Sequence, residues 1–168
     1  VDKCYYAVVK VTDRKGMENV QKVLGDRTVI TLENYLLKDS RTNMSHVVPE
    51  GTDGAKKAVL EYRVLGIEAG EELALLRVKL HTGRHHQIRV QLSETGMPIL
   101  NDTKYGVTPD EENIKDTLRA VRDEALALCS YRLVFSHPVT RKKLTFEVIP
   151  KGKSFALFSE DLCKRDNI

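Results

Sequence analysis

Cysteine is scarce and poorly placed for structural work: Cys4, Cys129 and Cys163 are odd in number, and no pair stands at CxxC spacing. That pattern argues against a disulfide framework and a structural zinc site, and it fits a reducing, cytoplasmic setting. Long apolar runs are also lacking. No stretch approaches the roughly 18–20 residues needed to cross a bilayer, and the N-terminus has no basic-then-apolar signal pattern, so neither a membrane span nor secretion is expected. One-sided charge is missing as well. A net charge of +3 permits a nucleic-acid partner without demanding one. No internal repeat or low-complexity segment is visible.

What is present is ordinary for a globular chain: 168 residues, 41% hydrophobic and 30% charged, enough to bury one sizeable core. One domain is expected. The chain enters an apolar β-type run, KCYYAVVKV, almost at once from Val1, which reads as a cut piece of something longer.

Residues 3–11 read as a strand, followed by the polar stretch TDRKGMEN with Gly16 as turn punctuation. A second strand is expected over 28–37. Residues 38–57 are mostly loop, interrupted by Val47 and Val48. Strands over 58–66 and 72–80, joined by GIEAGE, have the spacing of a hairpin. From His85 the period changes: Ile88, Leu92 and Gly96 recur every four residues, predicting a helix of about three turns ended by Gly96 and Pro98. A second helix is expected over 109–125. Strands over 126–135 and 144–149 follow, joined by the basic turn SHPVTRKK, and the tail from Lys151 keeps the apolar Phe155, Leu157 and Phe158 and is expected to fray where it then becomes charged. Strands outnumber helices and most connections are hairpin-like. The pattern predicts an α+β domain built on a largely antiparallel sheet.

The densest chemistry lies in LHTGRHHQIRVQLSETGMPILNDTKYG, residues 80–106. A strand ends at Thr82 and Gly83, and a helix start carries Arg84, two histidines, Gln87 and Arg89. Free N–H groups at a helix start attract anions and neighbouring arginines strengthen the attraction, so a phosphate or carboxylate site is one reading. A solvated helix start with surface arginines fits the residue types equally well.

The order of residues adds more. Gly83, Arg84, His86, Gln87, Ile88 and Arg89, followed by Pro98, Ile99, Asp102 and Tyr105, closely resemble the L-x-TGR-x-HQ-[IL]-R and G-x-PI-x-GD-x-x-Y pattern of the pseudouridine synthase family that modifies large-subunit ribosomal RNA and some transfer RNAs. Lys3, Tyr5, Ala7 and Val9 match its K-x-Y-x-A-x-V strand, AKKAVLEYRVL resembles the strand before the motif, and the His137–Pro138 turn resembles the join of its closing strands. Departures are His85 for a small hydroxyl residue, Gln91 for a histidine, Asn101 for a glycine, and Leu128, Cys129 and Ser130 for Leu-His-Ala. The family's HRLD motif, whose aspartate attacks the target nucleotide, does not occur in these residues. The resemblance therefore implies that residues 1–168 are the C-terminal part of the catalytic domain, inactive without the segment that bears the nucleophile.

The resemblance also implies roles. Arg89 would pair with the attacking aspartate and keep it ionised, and Tyr5 would pack on the uracil and help move its proton. Arg84, Gln87 and Lys104 would contact RNA backbone or the flipped base. The partner would be ribosomal or transfer RNA, with no cofactor and no metal. Each has a plainer rival. Tyr5 suits core packing, Arg89 a structural ion pair, and Arg141 to Lys143 a solvated hairpin tip. His81, His85 and His86 suggest a metal, but neighbours on a helix diverge by about 100° and no carboxylate stands at ligand spacing. Two other functions compete: a noncatalytic RNA-binding remnant of the same fold, and a small-molecule phosphate-binding domain at the Arg84 helix start.

Overall fold

A computed structural model describes residues 1–23, 28–68, 70, 72–106, 116–121 and 124–163. Its strands are β1 (Asp2–Lys10), β2 (Ile30–Asp39), β3 (Met44–Val48), β4 (Lys56–Glu68), β5 (Leu73–Leu80), β6 (Leu128–Ser136) and β7 (Lys143–Glu147). Its helices are α1 (Arg14–Val23), α2 (Gln87–Glu94), α3 (Asp116–Val121), α4 (Lys153–Ala156) and α5 (Ser159–Cys163). The strands form one sheet in the order β3-β2-β4-β5-β1-β6-β7, and every neighbouring pair is antiparallel. The fold is α+β, as the strand-rich pattern predicts.

The sheet's centre follows from composition. β1 carries CYYAVV without interruption by charge, and Cys4, Tyr6, Ala7, Val8 and Val9 are all buried. A strand covered on both faces reads as a continuous apolar run, which suits a position between β5 and β6. In β5, Leu73 to Leu76 are buried for the same reason. β7, at the sheet's end, alternates nothing and is mostly exposed.

The face that holds the motif follows from register. Partners in an antiparallel ladder point to one side, so Tyr5, Val78 and Tyr62 share a face. Residues two apart along β4 do the same, which adds Leu60 and Ala58. Val90 of α2 packs on Ala58 and Leu36. Tyr5 and α2 therefore lie on one side of the sheet.

Three expectations need correction. The stretch after β1 is not a turn at Gly16 but helix α1, capped by the Asp13 carboxylate, which accepts the Gly16 N–H at 2.7 Å. Val47 and Val48 are not an interruption in a loop, since they belong to strand β3, paired to Leu36 and Tyr35. The tail's apolar residues are used: Phe155 of α4, Phe158 between the helices and Leu162 of α5 lie in the main core, while the charged end expected to fray, 164–168, lies outside the described residues. The motif helix is eight residues long and starts at Gln87, because His86 is left-handed at φ 52°. Of the helix expected over 109–125, residues 109–115 and 122–123 lie outside the described residues, and 116–121 is α3.

Candidate active site

α2 is closed at its C-terminal end by a complete Schellman arrangement. The Met97 N–H donates to Leu92 O at 3.1 Å and the Gly96 N–H to Ser93 O at 3.0 Å, with Gly96 at φ 75°. Pro98 then turns the chain, and residues 98–100 run beside β1, with the Lys10 N–H donating to Pro98 O and the Leu100 N–H to Val8 O, both at 2.9 Å. This delivers Asn101 to Tyr105 back over α2. Asn101 itself sits at φ 64°, a conformation asparagine tolerates better than most residues, which explains how it replaces the glycine expected before Asp102.

Asp102 is the hub of the cluster. Its Oδ1 accepts from Arg89 Nη2 at 2.7 Å, the Lys104 N–H at 2.9 Å and the Tyr105 N–H at 3.0 Å, while Oδ2 accepts from Arg89 Nε at 2.8 Å. Its side chain has no exposed surface and that of Arg89 is 17% exposed. Burial pushes the Asp102 carboxyl up, but Arg89 and the two backbone N–H groups outweigh it and hold it below the ordinary carboxylate value. The Asp102 bond in turn raises Arg89. A carboxylate with no exposed surface and four donors around it is closed to a substrate.

Arg89 is held by more than this pair. Its Nη1 lies 3.3 Å from His86 Nε2, and its guanidinium carbon sits 5.1 Å from the centre of the Tyr105 ring. His86 Nδ1 is 3.0 Å from the Tyr105 hydroxyl oxygen, which also accepts the Ser45 N–H at 2.7 Å. Burial first, then Arg89, lowers His86 to about 4. His85 stacks on His86 at 3.8 Å, its Nδ1 is 3.0 Å from Ser45 Oγ, and burial with Lys38 and Lys104 nearby lowers it too. The two rings do not diverge as helical neighbours would, because His86 is not helical.

The other expected site residues are placed unequally. Tyr5 is half-buried and packs on the main core from β1. Gln87 is 2% exposed and its amide is spent inside the chain: Oε1 accepts from Thr82 Oγ1 at 2.8 Å and the Arg84 N–H at 2.9 Å, and Nε2 donates to Val59 O at 3.1 Å. Gln87 thus holds the Thr82 to Arg84 turn from a buried position. Arg84 is exposed, with Nε donating to Lys57 O at 2.8 Å, and Lys104 is exposed with Nζ donating to Asn43 O at 3.1 Å. Gln91, where the motif has a histidine, is fully buried and its Nε2 donates to Asn34 Oδ1 at 2.7 Å, tying α2 to β2. His86, Asp102 and Tyr105 are in the motif, but their spacing alone gives no roles. The signal lay in a carboxylate and a tyrosine three apart after a proline-turned segment.

Similarity to known proteins agrees with this geometry. A family model described as RNA pseudouridylate synthase matches residues 1–94. The chain belongs to this family. An uncharacterised RNA pseudouridine synthase of Aquifex aeolicus is 39% identical over 93 residues, covering 55% of this chain and 29% of that protein. Ribosomal large subunit pseudouridine synthase D of Borreliella burgdorferi is 29% identical over 167 residues, 99% of this chain and 43% of that protein. Among solved structures, human RNA pseudouridylate synthase domain containing 4 superposes with a TM-score of 0.64 at 20% identity, covering 92% of this chain and 61% of that one. Human RNA pseudouridylate synthase domain containing 1 gives 0.60 at 22% identity, with 89% and 54% covered. These two likenesses show the fold. In each of these comparisons the chain spans less than two thirds of its relative.

Proposed function

We propose that this protein isomerises uridine to pseudouridine in ribosomal or transfer RNA, in the cytoplasm, and that residues 1–168 form the C-terminal part of its catalytic domain. The carrying observation is Arg89. A guanidinium has five N–H groups; Nε and one on Nη2 go to Asp102, and one on Nη1 goes to His86. One N–H on each terminal nitrogen has no acceptor among the described residues. Such an edge is suited to a second, incoming carboxylate, the planar two-point geometry that arginine favours.

In this reading the incoming group is the aspartate of an HRLD segment outside these 168 residues. Asp102 neutralises most of Arg89's charge in advance, so the attacking carboxylate is oriented without being bound too tightly to react. It breaks the N-glycosidic bond as a nucleophile, the freed uracil turns, and a carbon–carbon bond to the same ribose replaces the original link. Tyr5, on the same face of the sheet as α2, packs on the uracil and helps remove its proton. Exposed Arg84 and Lys104 contact RNA phosphates, and Gln87 contributes by fixing the turn that presents Arg84. The target uridine leaves its stack to enter.

The test is tritium release from RNA carrying C5-labelled uridine, using the full-length protein. Arg89→Ala should lower kcat by about 10²–10³-fold, the range for removing a preorganised charged donor. Unchanged release would remove the role given to Arg89. Residues 1–168 alone should release none, and pseudouridine formed by them would overturn the placement of the nucleophile.

A further inference from the structure

We propose that His86 is a positioning residue for Arg89, acting as a neutral imidazole that accepts from Nη1 and donates to Tyr105. This rests on the reading of Arg89 as the clamp for an incoming carboxylate. Arginine has no acceptor, so the contact of 3.3 Å between Nη1 and Nε2 requires an unprotonated Nε2. The ring's proton then sits on Nδ1, 3.0 Å from the Tyr105 hydroxyl oxygen. The opposite tautomer would set two donors against each other at Arg89.

The backbone supports the assignment. His86 stands at the N-cap position of α2 with φ 52° and ψ 23°, and its side chain makes no capping hydrogen bond. Left-handed backbone strains a residue with a Cβ, and an asparagine or glycine would sit there with less strain. The position instead carries a ring pinned on both sides, stacked on His85 at 3.8 Å and edge-on to Tyr105 at 5.6 Å. Asp102 holds one side of the guanidinium, which leaves it free to tilt about that side. His86 removes that freedom and occupies one Nη1 hydrogen, so the outward edge points one way.

Three substitutions in the full-length protein separate a ring role from a backbone role. His86→Asn and His86→Gly suit the backbone but place no acceptor at Nη1; His86→Gln strains the backbone but carries an oxygen near the position of Nε2. Tritium release should show kcat reduced about tenfold to a hundredfold for Asn and Gly with KM unchanged, and within a few-fold of wild type for Gln. Asn or Gly matching or exceeding Gln would overturn the proposal. Independently of activity, two-bond ¹H–¹⁵N spectra of the full-length protein at neutral pH should show His86 protonated on Nδ1 only. A proton on Nε2 would overturn it as well. Wild-type protein that releases no tritium while showing the expected tautomer would sink the proposed function and leave the His86–Arg89 contact standing.

Discussion

Asp102 has four donors and no exposed side-chain surface, so a change there leaves Arg89 half-buried with its charge uncompensated. Breaking one side of such a pair is far costlier than never having built it. Asp102→Asn should destabilise the full-length protein by about 3 kcal/mol, read as a lower urea midpoint at unchanged m-value. The same residues give stability a pH dependence of definite sign. His86 is held near 4 while an unfolded histidine takes its proton at 6.5, so between these values only the unfolded chain gains a proton. Stability is then complete above pH 6.5 and falls as the pH drops toward 4; His85 adds to the upper part of that fall, and Asp102 extends it below 3.8. His86→Gln should flatten the decline of Tm between pH 6.5 and 4, and an unchanged slope would place its origin elsewhere. At this scale the motif told which residues gather, since Arg84 to Arg89 and Asp102 to Tyr105 stand in recognisable order. A structural ion pair was one reading of Arg89, but the motif did not say that Asp102 is the partner, because that pairing depends on a turn 13 residues away whose shape comes from Asn101 being left-handed.

Helix α1 shows why an element can be missed. Asp13 is a good cap, and Met17, Val20 and Val23 recur every three residues, but Gly16 within a charged stretch reads as a turn. The glycine is needed for approach, not for bending. A Cβ at Gly16 would press on the carbonyl of Gly96, the left-handed glycine that closes α2, and backbone cannot swing aside as a long side chain can. Lys15 Nζ to Glu94 O at 2.8 Å and Asn19 Nδ2 to Thr95 O at 3.3 Å hold α1 to that same end of α2. Alanine is the better helix former by about 1 kcal/mol, yet overpacking typically costs 1–3 kcal/mol. Gly16→Ala is therefore expected to destabilise by about 1 kcal/mol, and a rise in the urea midpoint would mean that α1 is not seated against Gly96. Gly96 and Pro98, by contrast, were legible as a helix end, because the Schellman arrangement depends on local backbone alone.

For the molecule as a whole, the β4–β5 and β6–β7 hairpins were legible from spacing, whereas the β2–β3 hairpin and the order of the sheet were not: nothing local says that β1 lies between β5 and β6. The continuous apolar run of β1 does demand cover on both faces, and that demand puts it near the centre. The opposite case is β7, an end strand of the sheet. Phe146 in it is 56% exposed, Val148 and Ile149 just beyond it are 55% and 71% exposed, and Phe146 stacks on Phe135 of the neighbouring β6 at 6.0 Å. An exposed strand edge with apolar side chains is a template for pairing with another chain. The strand reads Lys143, Leu144, Thr145, Phe146 and Glu147, so antiparallel pairing of two copies about Thr145 sets Lys143 opposite Glu147 and Leu144 opposite Phe146. Residues 1–168 expressed alone should accordingly self-associate as concentration rises in sedimentation velocity. Phe146→Lys removes apolar surface and puts a charge on the edge, and it should shift the population to monomer. A monomeric wild-type chain across the range would show that β7 is not sticky. Salt separates the contributions: pairing driven by the Lys143–Glu147 match would weaken with added salt, and pairing driven by the phenylalanine would not.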